Sequence, residues 1–170
     1  PHNVRRITDR AIAFIEKNKD RPFFCYVSHN SIHRPEMDHP ERIAKYEKKP
    51  GADNRDNRPV LAAMLERLDS GIGRLIARLD EVGLAENTVV IYTSDQGWYL
   101  GEHGWYDKRW MYEESFRTPM LIRWPGKIKA GSVSNEIVSH MDWLPTFLAM
   151  AGEPDIKEKL LKGHKAGKRT

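Results

Sequence analysis

Asp95 and Gln96 follow a short β-branched run, Val89, Val90, Ile91 and Tyr92, so an ionised carboxylate and a neutral amide oxygen leave one strand end together. Oxygen donors of mixed charge suit a hard cation such as Ca²⁺ or Mg²⁺. Gly97 and Gly101 let the backbone turn sharply. Thirteen positions after Asp95 comes Lys108, a point charge able to hold an anionic group beside a metal. Asp-x-Gly after a strand is also an ordinary turn, so the wider pattern has to decide.

A second constellation is Ser28-His29-Asn30-Ser31-Ile32-His33-Arg34-Pro35. Two histidines four apart would share a helix face, but Pro35 opposes a helix and no glutamate follows His29, which excludes a zinc-protease motif. The stretch reads as an active-site loop with His33 held by the restricted His-Arg-Pro backbone. The plain alternative is a surface histidine.

Asp95-Gln96-Gly97, Leu100-Gly101-Glu102-His103-Gly104, Asp107-Lys108-Arg109, Tyr112-Glu113-Glu114, Arg117-Thr118-Pro119 and Trp124-Pro125-Gly126 together resemble the sulfatase family, in the part that follows its catalytic centre. The resemblance runs over nearly all of residues 1–160 and implies an alkaline-phosphatase-like α/β core, here partial, with a mixed, mostly parallel sheet flanked by helices. It places calcium ligands on Asp95 and Gln96, a sulfate-contacting lysine on Lys108 and, through the His-x-Pro motif, a histidine beside the sulfate ester on His33. Asn or His is more usual beside the aspartate, so Gln96 departs from the pattern. The implied substrate is a sulfated small molecule or glycan, turned over by an arylsulfatase or carbohydrate sulfatase. The implied compartment is periplasmic or extracellular.

These residues need a scaffold, and the hydrophobic pattern supplies one. Ile7, Ala11, Phe14 and Ile15 predict an amphipathic helix over 3–18, and Phe23 to Val27 a buried strand. Residues 36–58 are polar around a short helix, Glu41 to Lys48, in a loop suited to shaping a substrate pocket; Arg55 and Arg58 are conceivable anion contacts outside the main site. Pro59 starts the longest helix, with Leu61, Leu65, Leu68, Ile72, Leu75 or Ile76, and Leu79 on its core stripe and Gly83 as its stop. Met120, Leu121 and Ile122 predict a strand, 136–139 one more, and Asp142 the cap of a helix reaching Gly152. Residues 1–152 are read as the later portion of a catalytic domain, and 153–170 as a basic tail beginning a further subdomain.

Composition narrows the classes. The net charge is +4, but residues 153–170 hold six basic against three acidic side chains, leaving the rest near neutral; nucleic-acid binding gains little support. No run approaches the ~20 apolar residues of a membrane span. The single cysteine excludes an internal disulfide and a multi-cysteine zinc site.

Sulfatases use a formylglycine made from a Cys-x-Pro-x-Arg or similar signature, and none is present. Cys25 lies in an apolar run and reads as a small core hydrophobe; Ser70-Gly71-Ile72-Gly73-Arg74 lies mid-helix with isoleucine where proline or alanine is needed. The nucleophile is therefore expected outside this chain, which reads as a fragment, inactive by itself. Two alternatives stay open: a phosphate or phosphonate ester hydrolase of the same superfamily, and a catalytically inactive fragment. The five aromatics Trp98, Tyr99, Trp105, Tyr106 and Trp110 suit either sugar stacking or core packing.

Overall fold

A computed structural model describes residues 3–50 and 58–165, which form two compact units, 1–130 and 131–170. In the first unit, helices α1 (Val4–Asn18), α2 (Pro40–Glu47) and α3 (Arg58–Glu81) pack with α3 against both others. Val4, Thr8, Ala11 and Ile15 of α1 are buried, as are Leu61, Ala63, Met64, Leu68, Gly71 and Leu79 of α3. The contact is close because Gly71 has no side chain: a Cβ there would stand 2.8 Å from Thr8 Oγ1 and 3.1 Å from Val4 Cγ1. Part of the expected stripe is turned outward, with Leu65 at 47% exposure, because Ala63 and Met64 take the inner face instead. Gly83, at φ +72°, ends the run as expected.

Strand β1 (Val90–Thr93) pairs antiparallel with β4 (Met120–Arg123), Ile91 opposite Ile122. Strands β2 (Tyr99–Leu100) and β3 (Tyr106–Asp107) form a second antiparallel pair, and helix α4 (Glu113–Phe116) precedes β4. The chain is thus mixed helix and sheet. Both pairings among the described residues are antiparallel, so the expected mostly parallel character is not carried by them.

Residues 23–27 belong to neither sheet. They run extended, alternating half-buried and exposed, with Phe24 at 66% and Tyr26 at 81% exposure; the buried strand expected here is corrected to an extended segment lying along α1. Phe23 meets Phe14 edge-on at 6.0 Å.

The second unit contains α5 (Trp143–Met150) and α6 (Ile156–Lys165), which pack together. Residues 136–139 are irregular, with Ile137 almost wholly exposed, so no strand forms there. Asp142 does not cap α5 through its side chain. Its carboxylate accepts from Ser139 N at 2.7 Å while Ser139 Oγ accepts from Met141 N, a capping box on the short 3₁₀ turn His140–Asp142. No described helix is long and apolar enough to cross a membrane.

Candidate active site

β1 ends at Thr93 and hands the chain to Ser94, Asp95 and Gln96. Ser94 Oγ donates to the Gln96 carbonyl at 2.9 Å, shaping the turn. Asp95 and Gln96 are both exposed. Gly97 then passes against α4: its N–H donates to Ser115 O at 2.9 Å, and a Cβ would fall 1.8 Å from Glu114 O, so this position requires glycine.

The β2–β3 hairpin brings Lys108 back to this strand end. Gln96 Nε2 donates to the Lys108 backbone carbonyl at 2.6 Å, joining two of the sequence-derived site residues directly. Lys108 Nζ lies 5.6 Å from the centre of the Trp98 ring, a cation–π contact that steadies its ammonium. Tyr99, fully buried, anchors the hairpin through its hydroxyl to Trp110 O at 3.3 Å. Arg58, considered for anions, instead donates to Leu100 O at 2.7 Å; Arg55 lies outside the described residues.

The aromatics mostly serve each other. Trp105 stacks on Trp110 at 4.1 Å, His103 on Tyr112 at 4.8 Å, and Trp98 meets Tyr106 edge-on at 5.8 Å. His103 Nε2 lies 3.2 Å from Glu114 Oε1, tying the 3₁₀ turn Glu102–Gly104 to α4.

Residues 28–35 form a loop, not a helix, which separates the two histidines. His29 Nε2 is 3.2 Å from Thr8 Oγ1, where burial lowers its pKa and holds it against α1. His33 is exposed, its backbone N–H bonded to Asn30 O at 2.9 Å and its Nδ1–H donating to Arg34 O at 3.3 Å. With Nδ1 as donor, Nε2 is the ring nitrogen able to exchange a proton outward.

Two acidic residues that sequence reasoning passed over fasten this loop. Tyr106 donates its hydroxyl to Glu36 Oε1 at 2.9 Å, and burial, followed by Glu36, pushes the phenol up to about 12. Arg34 stands 3.6 Å from Glu36 and 5.4 Å from the Tyr106 ring centre. Asp38 Oδ1 accepts from Arg67 at 2.5 Å, His39 N at 2.6 Å and Arg42 at 2.7 Å. Burial would raise the Asp38 carboxyl, but those donors hold it below the usual 3.8. The only sequence signal for Glu36 was an acid directly after the His-Arg-Pro motif, with Asp38 two positions further on.

Cys25 is half-buried, and burial pushes its thiol up, keeping it un-ionised.

The family model for sulfatases matches residues 2–153. The chain belongs to the sulfatase family. It is similar to an N-acetylglucosamine-6-O-sulfatase of Bacteroides thetaiotaomicron, 54% identical over 95 residues that cover 56% of this chain and 17% of that protein. It is also similar to the steryl-sulfatase of Mus musculus, 31% identical over 94% of this chain and 26% of that protein. Among solved structures, a protein in complex with its substrate D-glucosamine-2-N,6-O-disulfate superposes with a TM-score of 0.75 at 28% identity, over 88% of this chain and 48% of that one. The chain thus spans about a sixth to a quarter of the two sulfatase sequences it matches. Its α/β core is of the sulfatase, alkaline-phosphatase-like kind.

Asp95 and Gln96 suit calcium as part of a shell. Both offer hard oxygens at one strand end, and because the Gln96 amide nitrogen is taken up by Lys108 O, the atom it has for a cation is Oε1. Among the described residues no group of three or more His, Cys, Asp or Glu side chains is arranged around a metal site. Two donors fall well below the roughly 6 to 8 oxygens that Ca²⁺ takes.

Proposed function

We propose that this chain is the later part of the catalytic domain of a sulfuric ester hydrolase acting on a sulfated carbohydrate, a 6-O-sulfated glucosamine unit being the first substrate to try. The observation that carries this reading is the sulfatase-family match over residues 2–153, supported by the hydrogen bond that ties the Gln96 side chain to the Lys108 backbone beside the end of β1. The choice of sugar is supported by the 54% identity to an N-acetylglucosamine-6-O-sulfatase and by the likeness to a structure holding a glucosamine 6-O-sulfate.

In this reading Asp95 and Gln96 Oε1 hold part of a Ca²⁺ shell. When bound, that ion supplies Lewis-acid stabilisation to sulfate oxygens. Lys108 adds a positive charge where negative charge gathers on the non-bridging or leaving oxygen. His33 delivers a proton from Nε2 towards the departing sugar oxygen. The attacking group is proposed to be a formylglycine from a preceding segment of a longer polypeptide, since Cys25 lies outside any Cys-x-Pro-x-Arg signature. The proposed compartment is periplasmic or extracellular.

The test is inorganic sulfate release by the longer polypeptide from N-acetylglucosamine 6-sulfate, measured beside an aryl sulfate and an aryl phosphate. The reading expects the sugar sulfate to be turned over with the highest kcat/KM. Preference for the aryl phosphate would overturn it in favour of a phosphoesterase, and no turnover of any ester in favour of an inactive relative.

A further inference from the structure

His33 and Lys108 sit on separate loops, 75 positions apart, and loop residues hold a catalytic geometry only if something fastens them. The fastening is visible beside both. Three residues after His33, the Glu36 side chain is only 8% exposed; two residues before Lys108, Tyr106 donates its hydroxyl to Glu36 Oε1 at 2.9 Å. The Tyr106 ring packs edge-on against Trp98, and Trp98 in turn lies under the Lys108 ammonium at 5.6 Å. The guanidinium of Arg34, adjacent to His33, stands over the same Tyr106 ring at 5.4 Å. A continuous series of contacts therefore runs from the His33 loop to the Lys108 side chain.

From this geometry we infer that Glu36 and Tyr106 are a positioning pair that fixes His33 relative to Lys108, an assignment that rests on the sulfatase reading above. Neither touches the sulfate in this role. Glu36 is the acceptor for a half-buried phenol, and Tyr106 is the buttress whose ring orients Trp98 beneath the lysine. Asp38, bonded to Arg67 of α3 and Arg42 of α2, holds the other end of the same loop, so its movement is restricted on two sides. Losing the Tyr106 hydroxyl frees the end nearest His33 while the ring contacts persist. The expected consequence is misplacement of the proton donor, which affects the chemical step and leaves ground-state binding largely intact.

The experiment uses the longer polypeptide and sulfate release from N-acetylglucosamine 6-sulfate. Tyr106→Phe and Glu36→Ala are each expected to lower kcat about tenfold with KM changed less than about twofold. Glu36→Gln, which still offers an oxygen to the phenol, is expected to recover most of the loss seen in Glu36→Ala. In a His33→Ala background the Tyr106→Phe cost is expected to shrink below about twofold, because the group being positioned is gone. A Tyr106→Phe effect carried in KM, a cost that persists fully without His33, or no cost at all would each overturn the pairing while leaving the sulfatase reading in place. Near-normal turnover by both His33→Ala and Lys108→Ala would instead overturn the underlying site assignment, and the pairing with it. If Glu36→Ala fails to fold, Tyr106→Phe and its His33→Ala cycle decide the matter alone.

Discussion

The side-chain amide of Gln96 donates to the backbone carbonyl of Lys108 at 2.6 Å. Glutamine stands here where the sulfatase pattern more usually has Asn or His. Its side chain reaches across to the chain leaving β3, so the amide nitrogen ties the Lys108 backbone to the end of β1, and in the proposed calcium shell the amide oxygen is the atom offered to the cation.

The calcium assignment has a readout independent of turnover. Chelating Ca²⁺ from the longer polypeptide is expected to lower Tm by several degrees, with recovery on adding excess Ca²⁺, because an ion that binds only the folded state stabilises it by mass action. Asp95→Asn is expected to remove most of that calcium-dependent shift. A full shift in Asp95→Asn would take Asp95 out of the shell.

Gly97→Ala is expected to destabilise by about 3 kcal/mol and to abolish sulfate release, since the added methyl would lie 1.8 Å from the Glu114 carbonyl and neither backbone can give way cheaply. Thermal melts and turnover of the variant check this together. A Tm within one or two degrees of wild type would mean the strand end and α4 stand further apart than described.

Asp38 should leave a mark on acid stability. Its folded-state carboxyl is held below the usual 3.8, so the stabilisation it provides is present above that value and is lost as pH falls through the folded pKa. Asp38→Asn is expected to cost about 2 kcal/mol at pH 7, through two guanidinium bonds left without their charged acceptor, and to flatten the fall in Tm below pH 4. Equal acid profiles for variant and wild type would contradict this.

Much of the scaffold was legible from pattern. The glycine stop and part of the stripe of α3, the short helix at α2 and the β-branched run of β1 are local signals, and the chain follows them. The turn chemistry after β1 likewise announced Asp95, Gln96 and Gly97. Residues 23–27 were misread because an apolar run reports burial potential and not a partner; here the run lies along α1 outside both described sheets. Ser139 and Asp142 carried a capping-box spacing that was read as a simple cap on the following helix. Tyr106 stood out only as one of a group of aromatics, and its pairing with Glu36 was not legible. A polar pair 70 positions apart leaves no periodic trace, and an acid in a charged loop looks the same whether it is solvated or buried under a phenol.

In the proposed site Lys108 stands at a sulfate-binding strand end. The most direct measurement is kcat/KM for N-acetylglucosamine 6-sulfate in the longer polypeptide, wild type against Lys108→Ala, with far-ultraviolet dichroism and Tm recorded on both. A loss of about a hundredfold or more with the fold intact is expected. Turnover within a few-fold of wild type would contradict it.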